Sequence, residues 1–257
     1  EVQERQRPVQ CRNSGCARPL VRYTIPELST QGNIMIEWQG IETVLLDMDG
    51  TLLDLHFDNF FWQEYLPLRY AEIKGVEAQT AKHHIVTQTR KIEGSLNWYC
   101  TDYWSAMLEI DVVELKHEIS HKVAIRPFCI DFLDALRAAD NDVVMVTNAH
   151  HASLALKMEK THIAEKFDRH ITVHEFSLPN EDPQCWHEVH RRHPFTAQKT
   201  LLIDDNLHAL QSAREYGIGS LLAIYQPDSQ APRREIEDFD AIHSFAEIMP
   251  IDVVVDD

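Results

Sequence analysis

Apolar residues along this chain fall into two kinds of run. Short runs at 43–46, 143–146, 201–203 and 221–225 are rich in Val, Ile and Leu and are bounded by turn-forming residues, and 169–173 reads as a further short strand. Runs of that length with no alternation predict strands buried on both faces, as in a parallel sheet. Between 59 and 122 the apolar positions recur at helical spacing. Phe60, Phe61, Tyr65 and Leu68 are one set, and Trp104, Leu108, Val112 and Leu115 are another. Few strand signals interrupt this stretch, so it reads as an all-helical insert. Further helices are predicted at 127–139, opened by Pro127 with Phe128, Phe132, Leu133 and Leu136 on one face, and at 151–160, 183–192 and 207–215, the last closed by Gly217. Residues 52–60 read as a turn or short hairpin. The order is strand, helical insert, then alternating helices and strands. It predicts an α/β fold: a doubly wound, Rossmann-like parallel sheet with an inserted helical cap. The core takes residues 34–58 and 123–250, and the cap takes 59–122. Residues 1–33 are polar and aperiodic, a poorly ordered extension, and 251–257 form a short acidic tail.

In such sheets the site lies beyond the carboxyl ends of the strands. Three strand ends here carry polar groups: Asp47/Asp49, Thr147/Asn148 and Asp204/Asp205. Asp47 and Asp49 are two apart, which turns both to one side. Gly50 lets the chain leave sharply and pass close to a ligand, which puts Gly50 and Thr51 among the candidate substrate contacts. Thr147 and Asn148 offer a hydroxyl and an amide ahead of a helix N-terminus, suited to phosphate oxygens, although a helix cap has the same signature. Four carboxylates (Asp47, Asp49, Asp204, Asp205) in one crevice call for a divalent cation, and hard oxygen ligands favour Mg²⁺. Asp47 can then act as nucleophile and Asp49 as general acid and base. In the insert, Trp98, Tyr99, Tyr103 and Trp104 surround Asn97 and Asp102. These rings are either the insert's own core or, for one or two of them, a platform for a flat ligand whose edge Asn97 or Asp102 would bind.

The charge balance narrows the partner. Lys+Arg is 24 against Asp+Glu 41, a net −17, which repels nucleic-acid polymers and anionic membranes. A small anion is still admissible, because salt screens that field beyond about 8 Å and local groups decide. Cys11, Cys16, Cys100, Cys129 and Cys185 are odd in number and form no Cys-x-x-Cys, the usage of a reduced, cytoplasmic protein. Cys11 and Cys16 lack a second ligand pair nearby. His187, His190 and His193 lack a carboxylate partner, which argues against a metal site there.

The Asp47-Met-Asp-Gly-Thr51 segment, the Thr147 strand end and the Asp204-Asp205 strand end resemble the haloacid dehalogenase superfamily of phosphatases. The resemblance implies an aspartyl nucleophile at Asp47, an acid/base at Asp49, phosphate binding by Thr147 and Mg²⁺ on the late acidic pair. Further segments, Leu96-Asn-Trp-Tyr-Cys100, Asp102-Tyr-Trp-Ser105 and Thr147-Asn-Ala-His150, are similar to the purine 5′-nucleotidases of that superfamily. They imply a small phosphate ester, a purine mononucleotide such as GMP or IMP, as substrate. One position departs. The superfamily places a phosphate-neutralising Lys where this chain has Asn180, before Glu181-Asp182. Lys199 stands at the wrong strand edge, and Lys157, ten residues beyond Thr147 on a helix, is expected about 15 Å away at ~1.5 Å per residue. The other readings are a phosphatase for a sugar phosphate or phosphoglycolate, and a catalytically weak member that binds nucleotide or a protein partner.

Overall fold

The computed structural model describes residues 36–249. The expectations for residues 1–33 and 251–257, Cys11 and Cys16 among them, lie outside the described residues. The sheet has six strands, β1 (Thr43–Leu46), β2 (Asp142–Thr147), β3 (Arg169–Thr172), β4 (Thr200–Asp204), β5 (Ser220–Ile224) and β6 (Asp240–Ile242), in the order β3-β2-β1-β4-β5-β6. Every pairing is parallel. All four residues of β1 are buried, because helices cover both faces of the sheet. On one face Val44, Leu46, Val143, Met145 and Ile203 pack with Phe132, Leu133 and Leu136 of α7 (Cys129–Ala138). On the other, Leu45, Val144, Val146 and Leu202 meet α9 (Pro183–Arg192) and α10 (Leu207–Tyr216) through Trp186, Val189 and Leu210.

Besides β6, which the sequence reading did not include, two details differ, and at 52–60 it is the hairpin alternative that fails. Phe128 is not on the α7 face. It sits just before the helix in the left-handed region (φ 59°) and is partly exposed, so Pro127 opens a turn, not the helix itself. No hairpin forms at 52–60. Leu53 makes single-residue bridges to Asp49 and Ile125, and the chain enters α1 (His56–Phe60) at once.

Between β1 and α7 the chain is helical: α1, a π-helical stretch Phe61–Tyr65, α2 (Leu66–Lys74), α3 (Ala78–Ile92), α4 (Leu96–Tyr99), α5 (Thr101–Leu108) and α6 (Val112–Glu118). Its core is built from Phe57, Phe61, Ile85, Trp104, Leu108, Val112 and Leu115. Leu156, from α8 (His151–Thr161), joins the same cluster, so the insert is packed onto the sheet side of the molecule. Trp104 is fully buried here and Tyr103 packs against the cluster, which assigns both rings to structure. Leu68 is half exposed.

Candidate active site

The strand order reverses direction between β1 and β4, which makes that pair the topological switch point. Leu46 is in register with Ile203, and the Asp47 amide donates to the Ile203 carbonyl at 3.0 Å. The next residues, Asp47 and Asp204, therefore lie side by side where the sheet ends. Carboxylate oxygens of Asp47, Asp204 and Asp205 lie within 4.8 Å of one another. Burial, then repulsion from Asp204, Asp205 and Asp49, pushes Asp47 well above the usual carboxylate range. Burial and Asp205 do the same to Asp204. Asp205 rises to about 7, mainly through burial, with Arg234 opposing and Asp49 adding to the effect. Three closely set carboxylates, two of them buried and Asp205 partly so, are the donor set a divalent cation fits.

Gly50 and Thr51 shape this cluster from behind and do not line the cavity in front of it. Gly50 has φ +90°, and a Cβ there would stand 2.7 Å from Asp205 Cγ. The Thr51 hydroxyl accepts from the Asp205 amide at 3.0 Å. Their expected role as substrate contacts is corrected to that of holding Asp205.

Asp49 stands apart from the metal-like trio, contrary to its expected place among the ligands. Its Oδ2 accepts from Lys157 Nζ at 2.6 Å, and its Oδ1 is buried with no hydrogen-bond partner. Lys157 also reaches Asp58 Oδ2 at 2.6 Å, and Lys116 reaches Asp58 Oδ1 at 2.8 Å. Both ammonium groups are almost wholly buried, at 1% and 3% exposure. Burial opposes the Lys157 charge, but Asp49 and Asp58 outweigh it and hold its pKa above the ordinary lysine value. Burial likewise opposes the Asp58 charge, and Lys116 and Lys157 overcome it and hold the group at about 2. The expected distance of Lys157 from the site was wrong in kind: it counted helical rise and ignored the side chain. Helical side chains lean toward the N-terminus, and a lysine stem is long, so Lys157 reaches back from α8 to the strand ends. Lys199 does lie at the far edge, paired with Glu42. Lys116 and Asp58 were missed altogether: the insert brings Lys116 in from remote sequence, and Asp58 joins the site only through its pairing with the two lysines.

The opposite wall is an amide network. Asn148 Nδ2 donates to Asn180 Oδ1 at 2.7 Å and to Glu181 Oε2 at 3.0 Å. Both of its side-chain hydrogens are thereby used, so Asn148 braces the wall and its amide hydrogens are not directed at a ligand. Asn180, 2% exposed, donates to Asp204 Oδ2 at 3.1 Å. Thr147 Oγ1 accepts from the Ala149 amide at 3.1 Å, which leaves its own hydrogen for the cavity it lines. That cavity measures about 890 Å³, within the roughly 300–1,000 Å³ of small-molecule sites. Asp47, Asp49, Thr147 and Asn180 line it, as do Trp98 and Tyr99 from the insert. The Tyr99 hydroxyl donates to Glu181 Oε1 at 2.7 Å. Asn97 and Asp102 are exposed and lie off the cavity, and Asp102 turns to His150 instead. The expected edge contacts from these two residues are therefore not made. Arg234, which the sequence reading passed over, lines the cavity and donates to the Asp205 carbonyl at 2.7 Å. His187, His190 and His193 do not converge: they contact Tyr216, Phe195 and Asp142 respectively.

An aspartate-bearing strand end, a second aspartate held by lysine and an acidic trio meet at the switch point. Residues 41–217 match the family model of haloacid dehalogenase-like hydrolases, and the chain belongs to that family. Among individual proteins it is 37% identical over 218 residues to the GMP/IMP nucleotidase YrfG of Escherichia coli, covering 85% of this chain and 98% of that one. The fold is shared with a HAD phosphatase from Thermococcus onnurineus (TM-score 0.67, 19% identity, 80% of this chain and 95% of that one). It is also shared with the HAD-hydrolase YfnB from Bacillus subtilis bound to magnesium (TM-score 0.53, 20% identity, 80% and 96%). Among the described residues no helix is long and apolar enough to cross a membrane.

Proposed function

We propose that this hydrolase is a Mg²⁺-dependent phosphoric monoester hydrolase that releases phosphate from purine nucleoside 5′-monophosphates in the cytoplasm. The observation that carries the reading is the meeting of Asp47, Asp204 and Asp205 carboxylates on the wall of a cavity that Asp49 also lines. Asp47, Asp204 and Asp205 would hold Mg²⁺, which supplies positive charge against the carboxylates and the phosphate. An Asp47 oxygen attacks phosphorus, and the ester bond to the nucleoside oxygen breaks. Asp49 gives its proton to that leaving oxygen through Oδ1, the oxygen Lys157 does not hold. Burial raises the Asp49 pKa against the opposing Lys157, the direction a general acid needs. Asp49 then takes a proton from a water that attacks the aspartyl-phosphate, and Asp47 is regenerated. The Thr147 hydroxyl and one Asn180 amide hydrogen donate to phosphate oxygens. Trp98 and Tyr99 supply flat apolar faces on the cavity wall for a purine ring.

The similarity to a GMP/IMP nucleotidase supports the substrate class, and the insert's contribution of three rings to the cavity, Trp62, Trp98 and Tyr99, supports a planar group. The test is phosphate release from GMP, IMP, AMP, a sugar phosphate and phosphoglycolate, each with and without Mg²⁺. Purine monophosphates should be turned over only with Mg²⁺, and Asp47→Asn should abolish turnover. Equal or faster release from the small phosphates would overturn the substrate assignment. Undiminished turnover by Asp47→Asn would overturn the mechanism.

A further inference from the structure

Outside the acidic trio, one other group of ligating side chains converges among the described residues. Cys100, His150 and His174 place a sulfur and two imidazole nitrogens within 4.8 Å of one another. They come from three separate segments: the N-cap of α5 in the insert, the N-cap of α8, and the 3₁₀ turn Val173–Glu175 after β3. We infer that Cys100, His150 and His174 form a second metal site, for Zn²⁺ or a similar borderline transition-metal ion, joining the helical insert to the sheet domain.

The donor set selects the metal class. Thiolate and imidazole suit Zn²⁺, whereas the all-carboxylate trio suits Mg²⁺, so the two sites do not compete for one ion. Zinc at 2.0–2.3 Å from each donor needs ligand atoms about 3.3–3.7 Å apart, so a contraction of roughly 1 Å completes the site. The outer partners are of the kind that orient metal-binding imidazoles. His174 Nε2 lies 3.1 Å from the Asn148 carbonyl, which can only accept, so Nε2 carries the hydrogen and Nδ1 presents its lone pair. His150 Nδ1 lies 2.7 Å from the Thr101 hydroxyl. A hydroxyl can accept as well as donate, so His150 can place its hydrogen there and turn the Nε2 lone pair to the metal. The cost is the 3.5 Å contact that Nδ1 now receives from the Ala152 amide. Asp102 Oδ2, 3.5 Å from His150 Nε2 on a largely exposed side chain, is within reach as a fourth ligand.

Both rings are neutral at pH 7, as ligands must be. Burial and the neighbouring His150 hold His174 at about 4, and burial holds His150 below its usual value against Asp102. The three side chains already have local roles, Cys100 and His150 as helix caps and His174 on a carbonyl. None of those roles needs all three to converge.

Co²⁺ is the probe, because a cobalt–thiolate bond gives a near-ultraviolet charge-transfer band that oxygen and imidazole ligands do not. The background is the full chain carrying Cys11→Ser and Cys16→Ser, metal-stripped and then held in excess Mg²⁺. Titration with Co²⁺ should raise the band to a plateau at one equivalent. Cys100→Ser should remove it, His174→Ala should weaken binding at least tenfold, and Asp204→Asn should leave it intact. Excess Zn²⁺ should bleach it. Absence of the band in the background protein overturns the inference whether or not any variant folds. So does a band that survives Cys100→Ser, or one unchanged by His174→Ala.

Discussion

Lys157→Met tests whether the buried charges beside the site are balanced as a set. Asp49 and Asp58 face Lys157 and Lys116 in one cluster, two negative groups against two positive, with Nζ–O distances of 2.6, 2.6 and 2.8 Å. Removing Lys157 leaves two carboxylates against one ammonium. Breaking a buried pair costs roughly 3–5 kcal/mol. Asp49 is about a fifth exposed and can take up a proton, so the low end, about 3 kcal/mol, applies. For a chain of this size that is a Tm loss of ~6–12 °C. Asp49→Asn errs in the opposite direction, leaving two ammonium groups on Asp58. The double variant restores one charge of each sign, Asp58 with Lys116. It should therefore be less destabilised than the sum of the singles by about 1–3 kcal/mol. Urea unfolding of the four proteins at pH 7 measures this, with Lys157→Arg as a charge-keeping control. Additivity within ~0.5 kcal/mol would show that Asp49 and Lys157 do not share a charge balance. Lys157→Met should also lower turnover, since Asp49 loses the contact that holds its Oδ2 in place.

Asn180→Lys would set an ammonium against Asp204 where one amide hydrogen now stands at 3.1 Å. Worth ~2–4 kcal/mol in the transition state, it should raise kcat/KM for GMP about 30- to 1000-fold, and a folded variant with unchanged kinetics would dismiss Asn180 as a handicap. Gly50→Ala puts a Cβ 2.7 Å from Asp205 Cγ at a φ that L-residues avoid. It should cost ~1–3 kcal/mol in denaturant unfolding and weaken Mg²⁺ activation at least tenfold; near-parental behaviour would mean that Asp205 is free to move aside. His174 is held at about 4 in the folded chain, mainly by burial, against about 6.5 unfolded. The unfolded chain binds the extra proton, so this contribution is complete above pH 6.5 and is lost as pH falls toward 4. The Tm difference between the parent and His174→Gln should shrink or reverse across that window, and a pH-independent difference would refute it.

The amino-acid order alone determined the sheet and its reactive edge. Strands buried on both faces show as unbroken apolar runs, and Asp47, Asp49, Thr147, Asp204 and Asp205 are each fixed by their position one to three residues past such a run. β6 was not legible, because Asp-Ala-Ile is three residues that become a strand only by pairing with β5. The tertiary structure alone decided how the polar groups are shared out. Asn148 and Asn180 look alike as amides, yet the first spends both hydrogens on its neighbours and the second faces Asp204. Trp98 and Trp104 share one short segment, yet only Trp98 lines the cavity. Lys157 meets Asp49 and Asp58 from about a hundred residues further along the chain, and Lys116 meets Asp58 from the insert, both at the end of long side chains. Strand position is local and periodic, so it is written in the sequence. Side-chain pairing across an insert depends on how two packed bodies meet, and no local pattern encodes that.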